Sequence, residues 1–228
     1  MLADGELELV GRLTDATNAT FLCRVTSESL GVLAVYKPRR GERPLDDFPM
    51  GTLGNRERAA YLLSEASGWG IVPPTILRDG PLGPGMLQEW IDTDPSVYVP
   101  EIVMIGDPRL RVVCLFDAIA TNADRTGTHL LPVTSGHVYG VDHGITFHHE
   151  PKLRTVIWTW RGTQITADEM AVVRRVRDEL GGRLGTQLAE LISERELRAT
   201  IRRAERLIET CLFPEPDPHR PAMPWPPF

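Results

Sequence analysis

Asn122-Ala123-Asp124-Arg125-Thr126-Gly127-Thr128-His129-Leu130-Leu131, followed shortly by Val138-Tyr139-Gly140-Val141-Asp142-His143-Gly144, is the stretch whose reading decides the fold. It reads as a strand–loop–strand excursion with a carboxylate on either side. Asp124 lies in a polar loop just after an apolar run, and Asp142 ends a second apolar run at a glycine. A hairpin of this kind can hold two acidic side chains, one at each rim of a cleft.

Upstream, the pattern is β-rich. Residues 7–13 alternate roughly, as a half-buried strand does, and 21–25 and 32–36 read as two more strands separated by a polar turn. Lys37 ends the third strand, and Pro38 pushes it towards extended geometry. Residues 39–52 are rich in charge, Pro and Gly and read as a loop. Residues 55–66 read as a helix with a small-residue face, stopped at Gly68. Residues 72–77 and 85–91 read as extended, with Asp79-Gly80 as the hairpin between them.

Downstream, apolar residues recur at helical spacing, so 99–121 is expected to be mainly helical. Thr166-Ala167-Asp168-Glu169 and Ser193-Glu194-Arg195-Glu196 each fit the capping box and mark two helix starts, with Gly181-Gly182 breaking the first helix. Seven prolines from Pro214 onward keep the tail out of regular helix.

With 228 residues, of which 42% are hydrophobic, the chain can bury a substantial core as one domain or two small lobes. A formal charge of -6 argues against a duplex nucleic-acid partner, which would draw on clustered Lys and Arg. No apolar run reaches the roughly 18–20 residues of a membrane span. The acidic start lacks the basic and apolar regions of a signal peptide. Cys23, Cys114 and Cys211 each have apolar neighbours and read as buried small hydrophobes, and a cytoplasmic, reducing location follows. No Cys/His spacing suggests zinc.

The order of these pieces resembles the bilobal kinase plan: strands, a strand-ending Lys, a helix with Glu, a linker, helices, an Asn-x-Asp-Arg loop, then Asp-x-Gly. More closely it is similar to the phosphatidylinositol 3-/4-kinase-like family, in its small actinobacterial branch. The pieces that carry the resemblance are Val35-Tyr36-Lys37-Pro38, Asp47-Phe48-Pro49 with Arg56-Glu57-Arg58-Ala59-Ala60-Tyr61-Leu62, Val72-Pro73-Pro74-Thr75, the two Asp motifs and Lys152-Leu153-Arg154-Thr155-Val156-Ile157-Trp158. It spans roughly residues 7–210. It implies an α+β fold with a small β-rich N-lobe (1–92), a mainly helical C-lobe (93–212) and a Pro-rich tail (213–228).

The resemblance also implies ATP and Mg²⁺ (or Mn²⁺) as cofactors. Lys37 is then the ATP lysine, and Glu57 its orienting partner, with Glu65 as a competitor. Asp124 is the catalytic or hydroxyl-orienting carboxylate. Asp142 is the metal ligand, since a hard cation takes carboxylate oxygen and Mg²⁺ usually takes only one or two. His129 stands where many kinases carry a second metal ligand, Asn, although histidine is usual there in the actinobacterial branch. It either binds metal, contacts phosphate or leaves the second metal position unfilled, because imidazole suits softer ions.

Thr17 and Thr20 lie in the segment expected to cover the phosphates. Gln88, Glu89, Trp90 and Ile91 form the connector expected to meet adenine through backbone groups. Asn122 and Asp117 are expected to brace the catalytic loop, with Arg125 structural. His143 either meets a phosphate or is a satisfied loop histidine. His148 and His149, if on a strand, point to opposite faces. Trp158 and Trp160 read as packing residues, and the Arg174–Arg177 and Arg202–Arg203 runs as solvated helix faces.

The expected activity is transfer of the ATP γ-phosphoryl group to a hydroxyl on a protein, an inositol-type head group or a small molecule. The alternatives are a catalytically weak nucleotide-binding pseudokinase, an adenylyl-transferring kinase-like protein, and an interaction protein whose tail docks a partner. Oligomeric state is open.

Overall fold

The computed structural model describes residues 1–14, 18–28 and 30–228. Five antiparallel strands form one sheet in the order β1-β2-β3-β5-β4. They are β1 (Glu6–Leu13), β2 (Thr20–Ser27), β3 (Leu30–Pro38), β4 (Thr75–Gly80) and β5 (Gly83–Glu89). The helix α1 (Leu53–Ser67) runs between β3 and β4. Then come α2 (Val99–Met104), α3 (Leu110–Ala120), the short pair β6 (Leu130–Pro132) and β7 (Val138–Gly140), α4 (Ala167–Leu180), α5 (Arg183–Ala189) and α6 (Glu194–Thr210). A sheet-forming first part and a helical second part make the α+β class expected from the sequence.

Two hydrophobic clusters hold these parts. The smaller lies on the sheet, around Cys23, Val25, Ala34, Tyr36 and Leu87. The larger unites α3, α4, α5 and α6, and it also takes Ala59, Ala60 and Leu63 from α1. The small-residue face of α1 lets it lie close on the helical core. Val72 donates its amide to Ser64 Oγ at 3.0 Å, and Arg175 of α4 donates to the Ser67 carbonyl at 2.6 Å, so the C-terminal half of α1 is tied down as well.

Both capping boxes are formed, by Thr166 with Glu169 and by Ser193 with Glu196. Gly181-Gly182 separates α4 from α5. The span 99–121 is two helices rather than one, because Gly106 takes a left-handed φ of 69° and Pro108 follows it. The β4–β5 hairpin turns after Gly80 rather than at Asp79-Gly80, with Gly80 paired to Gly83. Gly85 of β5 is needed for strand spacing, since a Cβ there would sit 2.6 Å from the Lys37 carbonyl oxygen. Cys211, expected to be buried, is exposed at the end of α6, where the chain turns left-handed (φ 57°).

The Pro-rich tail lies back on the protein. Ala222 accepts hydrogen bonds from the Thr155 amide (3.1 Å) and from Trp158 Nε1 (2.9 Å), and Pro227 accepts one from the Gly127 amide (2.8 Å). No helix among the described residues is long and apolar enough to cross a membrane.

Candidate active site

The β6–β7 hairpin sets Asp124 before its first strand and Asp142 after its second, as the alternation of apolar and polar residues suggests. Its frame is a buried ion pair. Asp117, near the end of α3, accepts from Arg125 through both oxygens (2.8 and 2.9 Å), and both side chains are fully buried. Arg125 Nη1 reaches the carbonyls of His129 (3.2 Å) and Val141 (3.1 Å), and Nη2 meets His143 Nε2 at 2.7 Å. One guanidinium therefore spans both sides of the hairpin. Asn122 donates to Asp117 (3.0 Å) and accepts the Asp124 amide (3.0 Å). Removing one partner from such a buried, hydrogen-bonded pair typically costs about 3–5 kcal/mol, because the other charge is left bare.

On the opposite wall, Lys37 near the end of β3 projects its ammonium between two carboxylates. Nζ lies 2.7 Å from Glu57 Oε1 and 2.9 Å from Asp142 Oδ1. Glu57 is 1% exposed, and its second oxygen accepts the His143 amide at 2.9 Å, so α1 grips both the lysine and the loop that carries Asp142. Lys37, Glu57, Asp124 and Asp142 line one cavity of about 220 Å³, with Asn18, Glu42 and Gly144.

Burial works against the Lys37 charge, but Asp142 and then Glu57 outweigh it and raise the lysine pKa above its ordinary value. The attraction of Lys37, against partial desolvation, holds Asp142 well below the usual carboxylate range. The Asp142 side chain is 51% exposed, so solvent screens the pair and its worth to stability is small. Asp142 adopts a left-handed φ of 58°, a conformation Asp tolerates better than most residues and one that recurs at functional sites.

His129 bridges the two aspartates. Its Nδ1 lies 2.8 Å from the Asp124 carbonyl oxygen, which can only accept, so the proton sits on Nδ1. Nε2 then faces Asp142 Oδ2 at 3.4 Å. In the neutral ring that is a lone pair facing a carboxylate, an arrangement that suits a shared cation. Among the described residues no three His, Cys, Asp or Glu side chains surround one ion-sized point. The Asp142 carboxylate, with phosphate and water to complete the shell, fits Mg²⁺ or Mn²⁺, whereas the His129 imidazole suits a softer ion.

Thr17 falls outside the described residues. Thr20 is buried at the start of β2, its hydroxyl on the Asn18 carbonyl, and it does not line the cavity. Gln88 turns its amide to Thr75. The amides of Glu89 and Trp90 donate to the Pro74 and Leu33 carbonyls, so those donors are not free for a base, and none of residues 88–91, Ile91 included, lines the cavity. His143 is fully buried, with its Nε2 on Arg125. His148 and His149 are not on a strand, and their rings stack at 4.3 Å instead of pointing apart.

Sequence reading missed three contributors. Arg154 is held by the Ala123 carbonyl (2.7 Å) and reaches Asp124 Oδ1 at 3.5 Å. Its place in the Lys152–Trp158 match was the one signal available. Glu42, from a loop with no periodic pattern, accepts the Leu53 and Gly54 amides at the start of α1; Asn18, which fixes the Arg43 amide, was not singled out although it lies in the 14–20 segment expected to cover the phosphates.

The sheet-and-helix architecture that brings a lysine, a helical glutamate and two hairpin aspartates to one cavity is a kinase-like fold. The crystal structure of the proinflammatory kinase CtkA of Helicobacter pylori has a similar fold, with a TM-score of 0.51 and 10% identity over 93% of this chain and 94% of that chain. No family model matches the sequence. Protein Rv2133c of Mycobacterium tuberculosis is 44% identical over 263 aligned positions, covering 100% of this chain and 94% of that protein. The chain belongs to the family of Rv2133c.

Proposed function

We propose that the chain is a phosphotransferase of the phosphatidylinositol 3-/4-kinase-like type that moves the γ-phosphoryl group of Mg·ATP to a hydroxyl. The observation that carries this reading is the meeting of Lys37, Glu57 and Asp142 within 3 Å contacts (2.7 and 2.9 Å) in a cavity that Asp124 also lines. Lys37 binds the nucleotide phosphates, kept charged and aimed by Glu57. Asp142, with His129 beside it, would hold Mg²⁺ or Mn²⁺, which would neutralise charge on the phosphates. Asp124 accepts a hydrogen bond from the acceptor hydroxyl and orients its oxygen. As the new P–O bond forms, the bond to the ADP oxygen breaks, and the hydroxyl proton passes to Asp124 or to water. The chain's part is positioning and charge stabilisation, with little covalent work.

The test is ATP turnover and self-phosphorylation by the purified protein in Mg²⁺ and in Mn²⁺. Rates within the range of active kinases, about 1–100 s⁻¹, are expected with a competent acceptor. Asp142→Ala is expected to abolish transfer while leaving the melting temperature close to that of the wild type. No turnover with either metal by folded protein would overturn the reading. A catalytically silent nucleotide binder is the second reading, favoured by His129 at the second-metal position. Nucleotide binding without product would select it, and an AMP-modified product would select adenylyl transfer.

A further inference from the structure

Two adjacent residues of α1 point inward and make different contacts. Glu57 meets Lys37 and the His143 amide. Arg56 is 1% exposed. Its Nη2 lies 2.6 Å from Glu196 Oε1 on α6, Nη1 donates to the Thr146 carbonyl at 2.7 Å, and the Phe48 ring lies 4.8 Å from its Cζ. Glu196 is itself buried, and its other oxygen accepts both the amide and the hydroxyl of Ser193 (2.8 and 2.7 Å). Thr146 in turn donates its hydroxyl to the His143 carbonyl at 2.7 Å. Arg56 therefore joins α6, α1 and the segment 142–146 through one side chain.

Two further facts bear on what this junction does. The apolar face of α1 belongs to the core of the helical part, not to the cluster on the sheet. A buried ion pair is weak as a source of stability, since desolvating both ions cancels much of their attraction, but it tolerates only a narrow geometry. We infer that Arg56, held by Glu196, is a positioning residue that fixes α1 and the 142–146 segment in the one register where Glu57 and Asp142 both reach Lys37. The site is thus assembled from the helical side, and α1 does not swing to switch it. The catalytic consequence rests on the phosphotransferase reading; the structural claim does not.

Hydrogen exchange, thermal melting and affinity for a non-hydrolysable ATP analogue with Mn²⁺ would be compared for wild type, Arg56→Gln, Glu196→Gln and Arg56→Lys. Folded Arg56→Gln is expected to exchange the His143 amide at least about tenfold faster, with the α4 amides unchanged. Its affinity for the analogue is expected to fall about tenfold, Glu196→Gln to follow it, and Arg56→Lys to recover part of the loss. Loss of one partner of a buried pair lowers melting in either case; a purely structural role would instead speed exchange throughout, the α4 amides included. Folded Arg56→Gln with the His143 amide still protected, or with exchange raised uniformly, overturns the inference. If the single variants do not fold, Arg56→Met with Glu196→Leu removes both charges at similar volume, and the same local exchange decides. Wild type that fails to bind the analogue refutes the phosphotransferase reading, while the exchange result still decides this one.

Discussion

The ring of His143 accepts from Arg125 through Nε2, because an arginine only donates, and this leaves its proton on Nδ1, which has no hydrogen-bond partner among the described residues. Burial, and then the Arg125 charge, push its pKa well below the ordinary value, so the folded protein keeps this ring neutral. The unfolded chain takes up that proton near pH 6.5. Stability should therefore fall as the pH drops below about 6.5, by up to roughly 1.4 kcal/mol per pH unit from this group. His148, also depressed by burial and by Lys152, adds in the same direction. Lys37 and Asp142 stay out of this window. The raised lysine contributes below its unfolded pKa and is lost only as the pH rises through its folded one, and the lowered aspartate contributes above its unfolded pKa and is lost only as the pH falls through its folded one. Urea titrations at pH 7.5, 6.5 and 5.5 check the slope, and His143→Gln should make it shallower. A slope unchanged in that variant would contradict the assignment. At this scale Lys37, Glu57, Asp124 and Asp142 could be picked out of the sequence because each sits in a short recognisable string. The state of His143 could not, since it depends on Arg125 and on burial that only the folded chain creates.

Among the elements, the two capping-box helices were the most legible, because a cap is a contact between residues three apart. Thr166→Ala should cost about 1 kcal/mol by denaturant unfolding. Ser193→Ala should cost more, because Ser193 also steadies the Glu196 carboxylate that Arg56 uses. The tail is the opposite case. Its prolines exclude a helix but do not say whether an extended segment lies on a partner or on the chain's own surface. The structure shows the second. The Phe228 ring covers Gly127 so closely that any Cβ there would collide with it, and Trp225 is left exposed. The tail thereby lies against the loop between Asp124 and His129. Removing residues 221–228 should leave the helical core folded, speed exchange of the Gly127 and Thr155 amides, and slow the proposed phosphoryl transfer, since small displacements of a reacting group cost rate steeply. Gly127→Ala should act in the same direction by displacing Phe228. Unchanged exchange at Gly127 after truncation would show that the strap does not hold the loop.

For the whole molecule, the α+β class was implied by the family resemblance that the order of strands, helices and short motifs carries. The allocation of α1 to the helical core did not, because an amphipathic pattern marks a buried face but not what buries it. A ligand that binds only the folded form stabilises it by mass action, by about 2.7 kcal/mol at a hundredfold excess over Kd. Thermal melting with increasing Mg·ATP analogue should therefore rise steadily in wild type and stay flat in Lys37→Ala or Asp142→Ala. A shift that survives both substitutions would place the nucleotide elsewhere. The distribution of thiols has a practical consequence. Cys23 is enclosed in the sheet cluster with its pKa pushed up to about 11 by burial, and burial raises Cys114 as well. Cys211 alone faces water. Brief treatment with a maleimide dye should thus attach one fluorophore per molecule at the foot of α6, giving an optical reporter on that helix with no engineered cysteine.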